Sequence, residues 1–192
     1  MKICPQGGCS WEDVAEFERS YQVKFPPDYA EFLAKYNGGE TVDTHFYFSP
    51  KLSSDVSFFY GIGDVEYSVQ SATFPDEIEL PELLEKGLFP IAETDWGDYI
   101  LMDLRYAPGR VYFCVHDEGF ELFKLTDDFK YFVKRCKTDK IDLEFKTKPI
   151  AEREAELTER GYAENITDWL RGEWQRQIDK YTGIVLVTVK LS

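Results

Sequence analysis

The sequence lacks long hydrophobic segments. It contains no run of about 18 apolar residues, the length that a membrane-spanning helix requires. It also has no basic segment followed by a short apolar one, which is the pattern of a secretory signal. We therefore expect a soluble protein that stays in the cytoplasm.

Basic residues are also scarce. The 192 residues include 22 Lys and Arg against 36 Asp and Glu, a net charge of −14. Residues 51–128 hold 17 acids and 5 bases, whereas residues 129–150 hold 7 bases and 3 acids. This charge repels nucleic acid and anionic membranes and attracts basic proteins. We expect no direct binding to nucleic acid or membranes, although acidity alone also serves solubility.

Cysteine and histidine occur in patterns that do not suggest a metal site. Cys4 and Cys9 are separated by four residues with no histidine nearby, which does not match zinc-binding spacing. Cys114 lies in an apolar strand pattern and Cys136 on the apolar face of a predicted helix, so both are expected to be reduced core thiols. No metal and no cofactor is expected.

Catalytic and phosphate-binding motifs are missing as well. "GIGD" (61–64) and "NGGE" (37–40) lack the lysine and the glycine spacing of phosphate-binding loops. His116 and Asp117 are neighbours in a strand and therefore point to opposite faces. Cys114 shares a face with His116, but nothing near it in sequence would lower its pKa. The sequence predicts no catalytic residue, and an acid-based hydrolase or metal-dependent enzyme is the weakest alternative.

Two helices are predicted near the N-terminus. Ser10 and Asp13 form a capping-box pattern at the start of the first helix. Pro27 suits the first turn of the second helix, and Asn37-Gly38-Gly39 suits its end.

A mostly antiparallel sheet is predicted to follow. "HFYFS" and "VSFFYGIGD" indicate strands separated by a turn-rich loop, and "EYSVQS" and "PELLEKG" are weaker helical patterns. "YILMDL" is apolar on both faces, which predicts a central strand. With the Pro108-Gly109 turn, "VYFCVH" and "FELFKL", it forms a three-strand meander, and a helix starts after Thr126. The predicted class is α+β, with flanking helices around the sheet.

The C-terminal region has a different character. We expect one domain over residues 1–138 and an extension over 139–192 that packs on it. Within the extension, "IDLEFKTKPI" suggests an edge strand or an arm, residues 165–181 a helix, and "IVLVTVKL" a strand that needs a partner. Because an unpaired strand edge invites association, the sequence leaves both a monomer and a homodimer open.

The segment "FPIAETDWGDYILMDLR" (89–105) concentrates acids around one tryptophan. Asp103, on a buried strand, needs hydrogen-bond donors, which the following turn or Arg105 can supply. Asp95 is expected to cap a tight turn through Gly97. The spacing does not fit a calcium loop, whereas a tryptophan with a carboxylate rim is typical of protein-binding sites. The candidate partner-binding residues are Glu93, Asp95, Trp96, Asp98, Asp117 and Glu118.

The ordered set of motifs resembles the SUKH superfamily, which includes the fungal Smi/Knr cell-wall-assembly regulators and many bacterial immunity proteins. The resemblance covers about residues 10–137 and begins with "WEDVAEFERSYQVKFPPDYAEFLAKYNGGE". The matching positions are Pro27, Tyr29, Phe32, Leu33, Asn37, Gly38, Gly39, Pro90, Ile91, Ala92, Gly97, Asp98, Asp103, Gly109, Val111, Tyr112, His116, Asp117, Phe129, Phe132 and Val133.

This resemblance implies a Smi/Knr-like α+β fold without catalysis. It assigns structural roles to Pro27, Asn37, Gly38, Gly39, Gly97, Asp103 and Gly109. For bacterial members it implies an immunity protein that binds and neutralises a polymorphic toxin, often a nuclease. The leading hypothesis is therefore a non-enzymatic immunity protein with a basic toxin partner. The alternative is a regulatory interaction scaffold without a toxin.

Overall fold

The computed structural model describes residues 1–72, 74, 78–106, 109–116 and 120–192. The chain divides into two compact units. Unit 1 consists of Met1–Asp139 and Leu186–Ser192, and unit 2 of Lys140–Val185.

In its described residues, unit 1 contains a large sheet, a small sheet and four α-helices. Its strands are β1 (Lys2–Pro5), β2 (Gly39–Thr41), β3 (Thr44–Ser49), β4 (Leu52–Asp55), β5 (Phe58–Phe59), β6 (Leu88–Glu93), β7 (Tyr99–Asp103), β8 (Arg110–Val115), β9 (Glu121–Thr126), β10 (Cys136–Thr138) and β11 (Val187–Thr188). Its helices are α1 (Trp11–Tyr21), α2 (Pro27–Tyr36), α3 (Leu80–Glu85) and α4 (Phe129–Arg135).

The two N-terminal helices form as the sequence predicts. The Ser10 side chain accepts a hydrogen bond from the Asp13 amide, and the Asp13 carboxylate accepts one from the Ser10 amide, which completes the capping box. Pro27 is the first residue of α2, and Asn37 ends this helix in a left-handed conformation with φ of 49°.

The large sheet is antiparallel throughout, in the order β11-β1-β2-β5-β6-β7-β8-β9, and the small sheet has the order β10-β3-β4. All five residues of β7 are buried, as expected for a central strand. The predicted meander is present as β7, β8 and β9. The middle of "IVLVTVKL" forms β11 and pairs with β1, where Val187 lies opposite Ile3. The α+β class with a mostly antiparallel sheet is confirmed.

Aromatic side chains fill the core on both faces of the large sheet. On one face, Phe89 of β6 contacts Phe17 of α1 and Tyr29 of α2 at ring-centroid distances of 5.9 and 5.7 Å. On the other face, Phe74 packs against Tyr60 and Tyr99. Burial of both faces explains why the central strands contain little but apolar residues.

Several local predictions for unit 1 are wrong. The supposed loop after "HFYFS" contains strand β4, which pairs with β3. The "EYSVQS" segment forms turns instead of a helix, because local hydrogen bonds such as Gly61 N to Tyr67 O replace helical ones. Cys136 is not helical: its extended backbone ends α4 and starts β10, where it pairs with Phe46.

Unit 2 is helical. It contains α5 (Leu143–Lys146), α6 (Ile150–Glu159), a single 3₁₀ turn (Ala163–Asn165) and α7 (Asp168–Tyr181). The edge strand suggested for "IDLEFKTKPI" is not formed, because the Asp142 side chain caps the short helix α5. The last helix begins at Asp168 rather than Asn165, since Thr167 provides its N-cap.

Candidate partner-binding site

A tight hairpin turn joins β6 to β7 and presents Trp96 at its tip. The Thr94 amide donates to the Asp98 carbonyl at 2.9 Å, and the Gly97 amide donates to the Thr94 carbonyl at 3.1 Å. Gly97 has a φ of +80°, the left-handed conformation that closes a three-residue hairpin loop. Trp96 is consequently held out from the sheet with 76% of its surface exposed.

The capping role predicted for Asp95 belongs to its neighbour. The Thr94 hydroxyl accepts a hydrogen bond from the Asp98 amide at 3.1 Å. Asp95 instead accepts a hydrogen bond from the Ser57 hydroxyl. The tight turn itself is present as the sequence indicates, and Asp95 ties it to the segment between β4 and β5.

Glu93 lies at the end of β6, where the Tyr60 hydroxyl donates to its carboxylate at 2.7 Å. Burial, and then the hydrogen bond to Glu93, raise the pKa of Tyr60 well above its ordinary value. Burial, followed by the charge of Glu93, also raises the pKa of Tyr99 to about 12. Glu93 is therefore engaged with two tyrosines that stay protonated at neutral pH.

Asp98 pairs with His116, a contact that sequence reasoning missed. The Asp98 Oδ1 atom lies 2.8 Å from Nδ1 of His116 and accepts the His116 backbone N–H at 3.1 Å. The strand register brings them together, because Tyr99 pairs with Cys114 and the two residues flank that pair at the same end of the hairpin. The sequence does show an acid immediately before β7 and a histidine immediately after β8. Only the strand register shows that these two residues are neighbours.

Among the residues that the structure describes, no activated thiol lies beside the Asp98–His116 pair. Burial, and then the charge of Asp98, raise the pKa of Cys114 to about 12. A nucleophilic cysteine needs the opposite shift. The part of the chain that the structure describes also contains no group of three His, Cys, Asp or Glu side chains placed to hold a metal ion.

Asp103 is buried at the end of β7 and forms a bidentate pair with Arg105. The guanidinium donates through Nε and Nη2 at 2.9 and 2.7 Å, and the Arg105 amide donates at 3.0 Å. Burial acts to raise the pKa of Asp103, but the hydrogen bonds and charge of Arg105 outweigh it and leave this pKa below its ordinary value. Both donor sources suggested by the sequence are present.

The "NGG" motif fastens α2 to the sheet. The Asn37 side chain donates to the Ile62 carbonyl and accepts from the Ile62 amide, both at 2.9 Å. Gly39 has a φ of +129°, and a Cβ there would overlap the Cys4 carbonyl oxygen. Gly38 precedes β2, and Gly109 precedes β8.

Three residues singled out in the sequence lie outside the described residues. They are Asp117 and Glu118, the remaining candidate partner-binding residues, and Pro108 of the predicted turn.

The negative charge is concentrated in unit 1, which carries 26 acids and 14 bases, against 10 acids and 8 bases in unit 2. The turn with Trp96 lies in unit 1, so it is presented by the acidic part of the chain. Among the described residues, no helix has the length and apolarity to cross a membrane.

These features describe an α+β domain that presents an exposed tryptophan on an acidic body. Residues 8–135 match the model of the SMI1 / KNR4 family (SUKH-1). The match covers most of unit 1, and the chain belongs to this family. Comparison with curated proteins and with solved structures found no match.

Proposed function

We propose that this chain is a cytoplasmic, non-enzymatic immunity protein that binds and neutralises a basic polymorphic toxin. The observation that carries the proposal is the concentration of negative charge in the unit that contains the family domain. A strongly acidic surface speeds the encounter with a basic protein and disfavours acidic competitors. A toxin that binds nucleic acid has the complementary charge.

The hairpin turn around Trp96 is the proposed contact region. An exposed tryptophan at the centre of a polar rim is the residue type most often found to dominate binding energy. Asp95 is the acid of the proposed rim that is exposed at the turn. Glu93 and Asp98 lie at the two ends of this turn and are hydrogen-bonded to Tyr60 and His116. Asp117 and Glu118 belong to the same proposal.

The alternative function is a regulatory interaction scaffold without a toxin partner, which the family's Smi/Knr members represent. Both functions use protein binding, so binding alone does not separate them. The nature of the partner does: a toxin stops growth when it is expressed alone, whereas the client of a scaffold does not.

The test is affinity capture of the partner from the native host with the intact chain as bait, followed by expression of the captured protein in a naive host. We expect a basic protein whose expression arrests growth and whose affinity for this chain falls steeply as salt is added. A captured partner that is acidic, or that leaves growth unchanged, contradicts the immunity function.

A further inference from the structure

A cleft lies between the β3–β4 hairpin and the turn that carries Trp96. Phe46 and Phe113, which are both buried, are among the residues that line it. Tyr47 and Asp55 of the hairpin and Trp96 and Asp98 of the turn line its rim. All of these residues belong to unit 1.

Strand pairing explains why the exposed face of the hairpin is polar. His45 pairs with Asp55 and Tyr47 pairs with Ser53, so these four side chains share one face. Phe46 points to the opposite face and packs against Phe113, with ring centroids 5.7 Å apart. The hairpin is therefore fixed to the core through one face while it presents Tyr47 and Asp55 on the other.

Ser57 holds the turn beside the hairpin. Its hydroxyl donates to Asp95, and its amide donates to the Glu93 carbonyl at 2.9 Å. Because Ser57 follows β4 by two residues, the position of the turn is coupled to that of the hairpin. The cleft is thus preformed, which lowers the entropic cost of binding.

The rim combines exposed aromatic rings with a carboxylate that has no partner among the described residues. Trp96 and Tyr47 are 76% and 51% exposed. Asp98 is paired with His116, but the exposed Asp55 carboxylate forms no hydrogen bond or ion pair with any residue that the structure describes. Aromatic faces and a carboxylate together favour a cation and disfavour an anion.

In the part of the chain that the structure describes, neither Arg135 of α4 nor Lys137 of β10 forms a hydrogen bond or ion pair with Asp55. Arg135 donates to the Tyr47 carbonyl and lies over the ring of Phe48, which belongs to the opposite face of β3. Lys137 pairs with His45 from β10, on the far side of β3 from Asp55.

Building on the proposed function, we propose that this cleft receives an arginine or lysine side chain of the protein partner, with the cation between Trp96, Tyr47 and Asp55. The site extends the contact region from the β6–β7 turn to the β3–β4 hairpin. Neither Tyr47 nor Asp55 stands out in the sequence, because only the fold brings them next to Trp96.

The test uses the intact chain and a tetra-arginine peptide, with a tetra-glutamine peptide as the neutral probe. The indole N–H signals of the four tryptophans, assigned with single Trp→Phe variants, report binding in ¹H–¹⁵N spectra. We expect the Trp96 signal to shift and saturate with tetra-arginine while the exposed Trp11 signal stays in place. Tetra-glutamine is expected to move neither signal.

Matched variants distinguish binding in the cleft from attraction by the net negative charge. Tyr47→Ala and Asp55→Asn are each expected to weaken peptide binding about two- to fivefold, the range of single exposed cation contacts. Two control variants are expected to leave the affinity unchanged. Tyr131→Ala removes a ring that is 49% exposed on α4, and Glu16→Gln neutralises an exposed acid on α1.

Equal movement of all four indole signals, or equal losses in the control variants, would overturn the cleft, because binding would then follow net charge alone. The same holds if the Trp96 signal does not move. Such a result removes this site but leaves the immunity function to the partner-capture experiment, which does not depend on the peptide.

Discussion

Replacing Arg105 with alanine tests whether the buried Asp103 carboxylate depends on its guanidinium. The side chain of Asp103 is 3% exposed, so the variant leaves a buried charge whose one remaining hydrogen-bond donor among the described residues is the residue-105 amide. Two charge-assisted hydrogen bonds are lost, each worth about 1.5–3 kcal/mol. Arg105 is itself 61% exposed, so water offsets part of the loss. We expect unfolding free energy at neutral pH to fall by about 3 kcal/mol, the low end for a broken buried pair.

Arg19→Ala is the matched control. Arg19 is 63% exposed, much like Arg105, but its partner Glu12 is 76% exposed instead of buried. We expect a loss below about 1 kcal/mol. The measurement is urea unfolding, together with amide hydrogen exchange in β7 to localise the effect.

The loss of stability in Arg105→Ala is expected to depend on pH. In the native chain the pKa of Asp103 is lowered, so its contribution to stability is complete above its unfolded pKa of about 3.9 and is lost as the pH falls through its folded pKa. In Arg105→Ala the lowering effect of the guanidinium is lost, so the pKa of Asp103 lies above its value in the native chain and acid neutralises the unpaired charge more readily. The difference between the two proteins should therefore shrink as the pH falls from about 7 towards about 4. A difference that is constant over this range, or below about 1 kcal/mol at neutral pH, would show that the buried Asp103 carboxylate does not depend on the guanidinium of Arg105.

Three further predictions follow from buried polar groups. Asn37→Ala should lower the stability of unit 1 by about 2–3 kcal/mol in urea unfolding, because both backbone groups of Ile62 lose their partner. Arg153→Ala should reduce helicity and hydrogen-exchange protection in unit 2, because the buried guanidinium donates to backbone carbonyls and to Gln177. Unit 1 should keep its protection, and an equal loss in both units would contradict this prediction. Burial raises the pKa values of Cys114 and Cys136 to about 12, so a thiol reagent at about pH 8 should label neither in the folded chain and both in denaturant.

Local patterns predicted the elements whose signals lie within a few residues. The Ser10–Asp13 box, the Pro27 start and the Asn37 stop of the first helices depend on contacts inside each helix, and all three are present. The Asp103–Arg105 pair was accessible for the same reason, because its members are two residues apart.

Sequence patterns did not predict contacts between residues that are distant in the chain. Strand β4 was hidden because "LSSD" has little apolar character and forms only by pairing with β3. The Asp98–His116 pair, the Ser57–Asp95 link and the cleft beside Trp96 all depend on strand register, which sequence spacing does not give. The helical content of unit 2 was underestimated at "IDLEFKTKPI", where alternation suggested a strand but the Asp142 cap favours a helix turn.

Growth rescue tests directly whether this chain neutralises a toxin. The partner captured by the intact chain is expressed in a naive host, alone or together with this chain or its Trp96→Ala variant. We expect the partner alone to arrest growth and the native chain to restore it. Trp96→Ala should restore growth less well than the matched Trp11→Ala variant, whose tryptophan is 62% exposed on α1. Growth arrest that the native chain does not relieve would show that this chain is not the immunity protein of that partner.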